Sequence, residues 1–361
     1  YIHRRFSEEV IKMSNMHELK ELFHHINSAW QQNEQTVLVI LTDVKGSAYR
    51  LPGSKMLMTS SGKMFGTVSG GCLEADLFGW AEKVFETNKP LIHRYDLSDT
   101  EIWSLGIGCK GDLQFLFLPI SPSNQQWIKV QHLLQQEQGF TLVINMHTGE
   151  VAVIEENGSS YFTDDAFPLE IINQAQHIQS TQTRAQVVSS QQTDYLIDTV
   201  KPSEHLIVAG AGQDAIPLVD IAYQAGFSVT VLDSRAHFNN ENRFPHAAHI
   251  TTDIENLSNE SFSNSWWVIM NHHLEKDEET LRFAIESEPK YIGVLGPTYR
   301  TNEMLQHIGY SVSSGPIYSP VGLDIGAETM NEVAISIISE MMSLRVGRVA
   351  KPLHGKAKIH G

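Results

Sequence analysis

Cysteine, basic side chains and long apolar runs are all scarce in this sequence of 361 residues. The two cysteines, Cys72 and Cys109, are too few for a disulfide framework, so we expect both to be thiols in a reducing compartment. No apolar run approaches the roughly 18 residues of a membrane span, and the first residues lack the apolar core of a signal peptide. These absences predict a cytoplasmic protein.

Basic side chains are outnumbered by acidic ones. Lysine and arginine total 26, aspartate and glutamate total 42, and the formal net charge is -16. This charge opposes a broad hold on nucleic acid or on an anionic membrane, so we expect neither as a partner. An anionic ligand would need locally placed donors. A hydrophobic share of 41% at this length is typical of a soluble chain with about two or three domains.

The sequence does contain a strand, a glycine turn, a helix and a second strand between His205 and Arg235. An apolar run ends at Gly210 and Gly212, a helical segment extends to Gly226, and a second apolar run leads into Asp233. In dinucleotide-binding βαβ units the glycines allow a tight turn and close approach of a phosphate, and the acid accepts ribose hydroxyls. The pattern predicts an α/β fold with a Rossmann-like doubly wound parallel sheet.

Polar residues follow two further apolar runs in the same half. His272 and His273 follow one run, and Gly296 follows the next, at the sheet edge where ligands bind in open α/β sheets. The histidines fit a metal site only with further ligands that the sequence does not place. Asp324 and Gly326 form a turn before an apolar helix, where Asp324 either caps the helix or binds a ligand.

The cysteines lie in two glycine-rich loops of the N-terminal half. Cys72 opens a helix that reaches about Asn88, a position where unpaired amides and the helix dipole favour a thiolate or a bound anion. The other interpretation makes Cys72 a small buried hydrophobic residue. If the loop of Cys109 faces that of Cys72, the thiols could bracket a soft ligand such as a metal-sulfur centre. An earlier loop at 46–53 contains Arg50, which is either an incidental surface cation or a ligand contact.

Four stretches together resemble the XdhC/CoxI family, the accessory proteins of xanthine dehydrogenase and carbon monoxide dehydrogenase. They are GSAYRLPGSKML with GTVSGGCLEAD, LGIGCKGDL, GAGQDAIPL with VTVLDSR, and YIGVLGPTYR with SPVGLDIGAET. We therefore expect a mixed α/β XdhC/CoxI module in residues 1–120, a connecting α/β region in 121–202, a Rossmann-like domain in 203–348 and a basic tail in 349–361. The glutamine-rich segments 123–138 and 171–192 of the connecting region are typical of exposed helix and polar loop.

The resemblance implies a cofactor-insertion chaperone more than a catalyst. Such a protein binds molybdenum cofactor in a molybdopterin form, holds it during sulfuration and delivers it to a xanthine dehydrogenase-type molybdenum hydroxylase. The implied partners are the hydroxylase apoenzyme, a cysteine desulfurase and a second copy in a homodimer. Whether the bound form is a mononucleotide or a dinucleotide stays open.

Family members carry their signature at positions that we transfer as predicted cofactor-binding residues. They are Ser47, Arg50, Ser69, Gly70, Gly71, Cys72, Glu74, Cys109, Gly210, Gly212, Asp233, Arg235, His272, Gly296, Asp324 and Gly326. Cys72 and Cys109 are the predicted metal ligands. After Gly296 many relatives have a basic cluster, whereas this sequence has only Arg300.

Two other functions stay open from the residues. An NAD(P)-dependent oxidoreductase would use the Rossmann domain, but Pro217 fits a first helical turn and so places the carboxylate of Asp214 where a pyrophosphate should lie. A scaffold without a small ligand would use the apolar C-terminal helix as a dimer or partner surface.

Overall fold

The computed structural model describes residues 14–46, 48–71, 73–96, 111–162, 166–181 and 185–355. After residue 202 the chain passes from one compact unit into a second. Among the described residues, no helix has both the length and the apolar character needed to cross a membrane.

The first unit contains two sheets, built almost entirely from antiparallel neighbours. The first sheet has the order β4-β3-β2-β6-β5, with β2 (Thr36–Gly46), β3 (Lys55–Thr59), β4 (Met64–Gly66), β5 (Leu91–Asp96) and β6 (Gly111–Ile120). The second has the order β1-β11-β7-β8-β9, with β10 also on β11, and comprises β1 (Ser14–Asn15), β7 (Phe140–Asn145), β8 (Val151–Glu155), β9 (Ser160–Tyr161), β10 (Gln186–Ser190) and β11 (Thr193–Lys201). The short β1 runs parallel to its partner, β11.

Four helices pack on these sheets through apolar faces. They are α1 (Met16–Gln31), α2 (Glu74–Thr87), α3 (Gln125–Gln135) and α4 (Leu169–Thr181). In α1 one apolar face, which includes Leu19 and Phe23, is buried. The α3 helix begins after Asn124, whose side chain accepts hydrogen bonds from the amides of Gln126 and Trp127.

One hydrophobic core joins residues on both sides of position 120. Leu38 and Leu118 of the first sheet share it with Trp127 of α3 and with Leu196 of the second sheet. The prediction of helix within 123–138 and 171–192 is confirmed by α3 and α4. Their predicted exposure is wrong because both helices bury an apolar face, and the predicted polar loop is wrong at 186–190, which form a strand. The four-part domain division remains a prediction.

The second unit is organised by a six-stranded parallel sheet. Its strands are β12 (Glu204–Ala209), β13 (Phe227–Leu232), β14 (Ala247–Ile250), β15 (Trp266–Ile269), β16 (Tyr291–Val294) and β17 (Ile317–Tyr318). The order is β14-β13-β12-β15-β16-β17, the 3-2-1-4-5-6 order of doubly wound dinucleotide-binding sheets. The predicted Rossmann-like sheet is confirmed. Strand order reverses between β12 and β15, so the crevice for a ligand lies at the carboxyl ends of these two strands.

Helices cover both faces of this sheet, as a parallel sheet requires. They are α5 (Ala215–Gln224), α6 (Leu274–Glu286), α7 (Thr298–His307) and α8 (Met330–Arg345). Val208 of β12 packs into the same core as α5 and α8, and the neighbouring Ile207 packs into the core that contains residues of α6 and α7. Successive side chains of β12 therefore point to opposite faces of the sheet and pack into the two cores in turn.

The C-terminal helix has its own cap. The side chain of Thr329 accepts from the amide of Glu332, and the carboxylate of Glu332 accepts from the amide of Thr329, which is a capping box. The capping alternative for Asp324 is therefore wrong.

Candidate functional site

A carboxylate organises the glycine loop that precedes α2. The side chain of Glu74 accepts hydrogen bonds from Thr67 Oγ1 at 2.6 Å, from the amide of Ser69 at 3.3 Å and from the amide of Leu73 at 3.2 Å. The Ser69 hydroxyl also donates to it. The loop at 67–71 therefore folds around Glu74, and the predicted residues Ser69 and Glu74 are in direct contact.

These donors keep the Glu74 carboxyl ionised. Burial is the largest single influence on its pKa and acts to raise it, because a buried charge is poorly solvated. Hydrogen bonds from Ser69, from Thr67 and from backbone amides together outweigh burial and lower the pKa to about 2. Glu74 therefore carries a full negative charge at the start of α2.

The two glycines of this loop adopt left-handed backbone conformations. Their φ values are +77° at Gly70 and +101° at Gly71. A Cβ on Gly70 would lie 2.9 Å from the ring of Tyr49, whereas a Cβ on Gly71 would meet nothing within 4 Å. The amide of Gly70 donates to Thr67, so this donor is satisfied within the loop, and the space beside Gly71 is open.

One further predicted residue of the first unit, Arg50, has partners within the protein, and three others lie outside the described residues. Arg50 donates to Ser54 Oγ at 3.2 Å and to Glu18 Oε2 at 2.6 Å, so it ties its loop to α1. Ser47, Cys72 and Cys109 lie outside the described residues. Within the described ranges, no group of three or more histidine, cysteine, aspartate or glutamate side chains is arranged to hold a metal ion.

Gly210 brings the ends of β12 and β15 together. Its φ is +115°, and a Cβ there would lie 2.5 Å from the carbonyl oxygen of Met270. A side chain at this position would collide with backbone, so only glycine fits. The first turn of the predicted βαβ unit therefore forms as expected.

Asp233 follows β13, as predicted, but its acceptor sites are taken. Oδ2 accepts from the amide of Ala211 at 2.9 Å and from Nη2 of Arg235 at 2.6 Å. Oδ1 accepts from the amide of Arg235 at 3.0 Å and from its Nε at 2.9 Å. A carboxylate offers about four lone-pair sites, so none is left for ribose hydroxyls unless Arg235 moves.

The charge of Asp233 is held by the same contacts. Burial is the largest influence and raises the pKa, but the hydrogen bonds from the Arg235 side chain, its amide and the Ala211 amide lower it to about 2. Asp233 and Arg235 form a closed ion pair at the end of β13.

Asp214 and His272 form a second pair over the glycine turn. Nε2 of His272 lies 2.7 Å from Oδ2 of Asp214, and His272 has a left-handed φ of +57°. A Cβ on Gly212 would lie 2.5 Å from Oδ1 of Asp214. The carboxylate therefore covers the backbone of Gly212, where a pyrophosphate approaches in dinucleotide-binding proteins.

The predicted Gly296 lies in the turn after β16, and Arg300 follows in the first turn of α7. Nη2 of Arg300 lies 2.6 Å from Oδ2 of the buried Asp277, whose Oδ1 accepts from the amide and side chain of Asn271. Arg300 thus neutralises a buried carboxylate. Asp324 and Gly326 are exposed in the segment before α8, and among the described residues no hydrogen bond joins them to the Asp214 pair.

Sequence reasoning missed Arg243 and Phe238. Nη1 of Arg243 donates to the carbonyl oxygens of Ala211 at 2.9 Å and Phe238 at 2.8 Å, and Nη2 reaches that of Gly212 at 3.4 Å. The guanidinium carbons of Arg235 and Arg243 lie 4.7 and 5.2 Å from the ring centroid of Phe238, as cation-π contacts. The sequence pattern that could have indicated this cluster is two arginines and an aromatic residue shortly after Asp233.

Replacing Glu74 with glutamine should flatten the pH dependence of stability. The folded-state pKa of Glu74 is about 2, below its ordinary 4.5, so its ionised form stabilises the fold above pH 4.5 and this contribution is lost as the pH falls toward 2. The urea midpoint of wild type should therefore fall more than that of Glu74→Gln between about pH 5 and about pH 3. The exposed Glu303→Gln serves as control and should follow wild type. Equal losses in wild type and Glu74→Gln would contradict the prediction.

The protein is an α/β protein of two units. One unit has a glycine loop folded around a carboxylate, and the other has a parallel sheet of order 3-2-1-4-5-6 with a glycine turn, which is the dinucleotide-binding class of folds. Residues 29–96 match the model described as the XdhC and CoxI family, and residues 206–341 match the XdhC Rossmann domain. The chain belongs to the XdhC/CoxI family, as the sequence motifs predicted.

Relatives of this chain cover nearly its whole length. It is 32% identical over 340 residues to a probable xanthine dehydrogenase subunit of Bacillus subtilis (strain 168), covering 92% of this chain and 98% of the relative. It is 22% identical over 323 residues to the molybdenum cofactor insertion chaperone PaoD of Escherichia coli (strain K12), covering 88% and 86%. A crystal structure described as a xanthine dehydrogenase from Bacillus halodurans superposes with a TM-score of 0.76 at 30% identity, covering 94% of this chain and 99% of that one.

Proposed function

We propose that this chain binds molybdenum cofactor as cargo and delivers it to a xanthine dehydrogenase-type molybdenum hydroxylase. The observation that carries the proposal is the 22% identity, along 88% of the chain, to a molybdenum cofactor insertion chaperone. The name of the Bacillus subtilis relative supports an apoenzyme of the xanthine dehydrogenase class as the recipient. A cysteine desulfurase partner, a homodimer and a cytoplasmic location stay predictions.

The first unit fits the metal end of this cargo. Molybdenum cofactor presents a soft metal bound by sulfur, a polar pterin and an anionic phosphate, and thiolates suit the metal. The open space beside Gly71 leaves room for a bulky ligand, and Cys72 follows directly in the sequence. The ionised Glu74 and the internally bonded loop amides disfavour a phosphate at this helix start.

The geometry opposes the alternative of an NAD(P)-dependent oxidoreductase. Ribose binding would need the acceptor sites of Asp233 that Arg235 and the Ala211 amide occupy. Pyrophosphate binding would need the position over Gly212 that the carboxylate of Asp214 covers. Calorimetric titration with NAD and with NADP should therefore give a flat trace for both.

Binding and transfer can be measured with the purified full chain. Saturable binding of molybdenum cofactor by wild type is expected, and Cys72→Ser with Cys109→Ser should weaken it at least about tenfold. The exposed Ser159→Ala is the control and should bind as wild type does. The loaded protein should restore activity to a cofactor-free molybdenum hydroxylase. Absence of saturable binding by wild type would refute the proposal.

A further inference from the structure

The second unit has two features that its dinucleotide-type fold does not explain. One is the carboxylate of Asp214 over Gly212, and the other is the cluster of Arg235, Phe238 and Arg243 beside the same turn. We propose that this cluster binds a terminal phosphate monoester and that Asp214 excludes a pyrophosphate. This inference rests on the proposed function. Together the arginine cluster and Asp214 would make the second unit bind the molybdopterin form of the cofactor in preference to its dinucleotide form.

The exclusion follows from charge and space. In dinucleotide-binding βαβ units the pyrophosphate lies against the second glycine and the first turn of the helix. Here α5 begins at Ala215, and Oδ1 of Asp214 lies where a side chain on Gly212 would be. Oδ2 of Asp214 is fixed by His272 at 2.7 Å. A pyrophosphate would meet a carboxylate at this position and be repelled.

The attraction comes from Arg243 first. Its guanidinium is held by the carbonyl oxygens of Ala211, Phe238 and Gly212. In the part of the chain that the structure describes, no carboxylate forms an ion pair with it, and this includes Glu241 on the same segment. Arg243 therefore presents a fixed positive charge beside the glycine turn.

Arg235 supplies the second cation. It pairs with Asp233, yet 47% of its side chain remains exposed. Both guanidinium groups lie against the partly exposed ring of Phe238, which limits their motion. Arg235 uses Nε and Nη2 for Asp233, and Arg243 uses Nη1 and Nη2 for backbone carbonyls, so the two side chains offer a terminal phosphate their positive charge and their remaining N–H groups, chiefly Nη1 of Arg235 and Nε of Arg243. An arginine after the second strand accommodates such a group in NADP-binding folds. A phosphate esterified on both sides, as in a dinucleotide, offers fewer oxygens and less charge.

The test compares two cargoes on the full chain. Molybdenum cofactor in its molybdopterin form and in its cytosine dinucleotide form is titrated into wild type, Asp214→Asn and Arg243→Gln. Wild type should bind the molybdopterin form at least about tenfold more tightly. Asp214→Asn should bind the dinucleotide form more tightly than wild type does, which reduces the ratio of the two affinities. Arg243→Gln should bind the molybdopterin form about tenfold more weakly than wild type does.

A matched charge change controls for long-range electrostatics. The exposed Arg282→Gln on α6 removes one positive charge and should leave both affinities unchanged. Equal or tighter binding of the dinucleotide form by wild type, or an unchanged preference in Asp214→Asn, would overturn this inference and leave the proposed function standing. Failure of wild type to bind either form would overturn the proposed function itself. If Arg243→Gln does not fold, the ratio measured in Asp214→Asn still decides.

Discussion

Replacing Lys55 with methionine is expected to lower the free energy of unfolding of the first unit by about 3 to 5 kcal/mol. The ammonium group of Lys55, on β3, forms an ion pair with Asp198, on β11, and donates to the carbonyl oxygen of Gly53 at 2.8 Å. Lys55 is 7% exposed and Asp198 is 0% exposed. Removal of the cation would take the Lys55 ammonium away from a fully buried carboxylate, and the loss of this compensation for a buried charge is what destabilises the fold.

Urea unfolding of single and double variants isolates the pair. Lys55→Met and Asp198→Leu should each be strongly destabilising, whereas the double variant should lose much less than their sum, because two apolar side chains can replace a buried pair. Lys63→Met is the control, since the Lys63 side chain is 48% exposed in its ion pair with Glu34, so water screens the pair and its loss should cost little. A Lys55→Met variant as stable as Lys63→Met would contradict the assignment.

The Gly210→Ala substitution should have the next largest effect, a loss of about 3 kcal/mol from the second unit. The cost combines a left-handed backbone, at φ +115°, with a collision between the new Cβ and the carbonyl of Met270 at 2.5 Å. Relief of the collision must push β12 and β15 apart at their carboxyl ends. The amides of both strands should then exchange hydrogen faster.

Gly309→Ala separates the collision from the backbone strain. Gly309 has φ +80°, and a Cβ there would meet nothing within 4 Å, so this variant should lose only about 1 kcal/mol. Hydrogen exchange measured by mass spectrometry on peptides of β12 and β15 reports the difference. Equal destabilisation by the two substitutions would show that backbone strain alone matters at Gly210.

Local sequence patterns predicted the elements well because burial periodicity is a local property. The apolar run before Gly210 became β12, Glu204–Ala209, and the run leading into Asp233 became β13, Phe227–Leu232. The glycine turn with its acid predicted the parallel sheet, since that turn chemistry suits few other connections.

Side-chain partners were less accessible to sequence reasoning because they depend on tertiary placement. Lys55 and Asp198 are 143 positions apart, and no local signal joins them. Asp233 was expected to face a ribose, but Arg235, two residues later, folds back on it. The hydrogen bonds by which Glu74 holds its own loop were not expected either, and its contact with cofactor stays a prediction. In each case the predicted residue was present and its partner was not foreseeable.

The pairing of Asp233 with Arg235 bears on how long cargo would stay bound. An arginine that already neutralises a carboxylate attracts an incoming anion less strongly than an unpaired arginine, and it returns to its own partner when the anion leaves. When the anion dissociates, the carboxylate of Asp233 is again paired with Arg235, and the end of the strand does not need to rearrange. We expect the Asp233–Arg235 pair to shorten the residence time of a phosphate on the second unit. A short residence time favours transfer of the cargo to a recipient enzyme over long-lived binding.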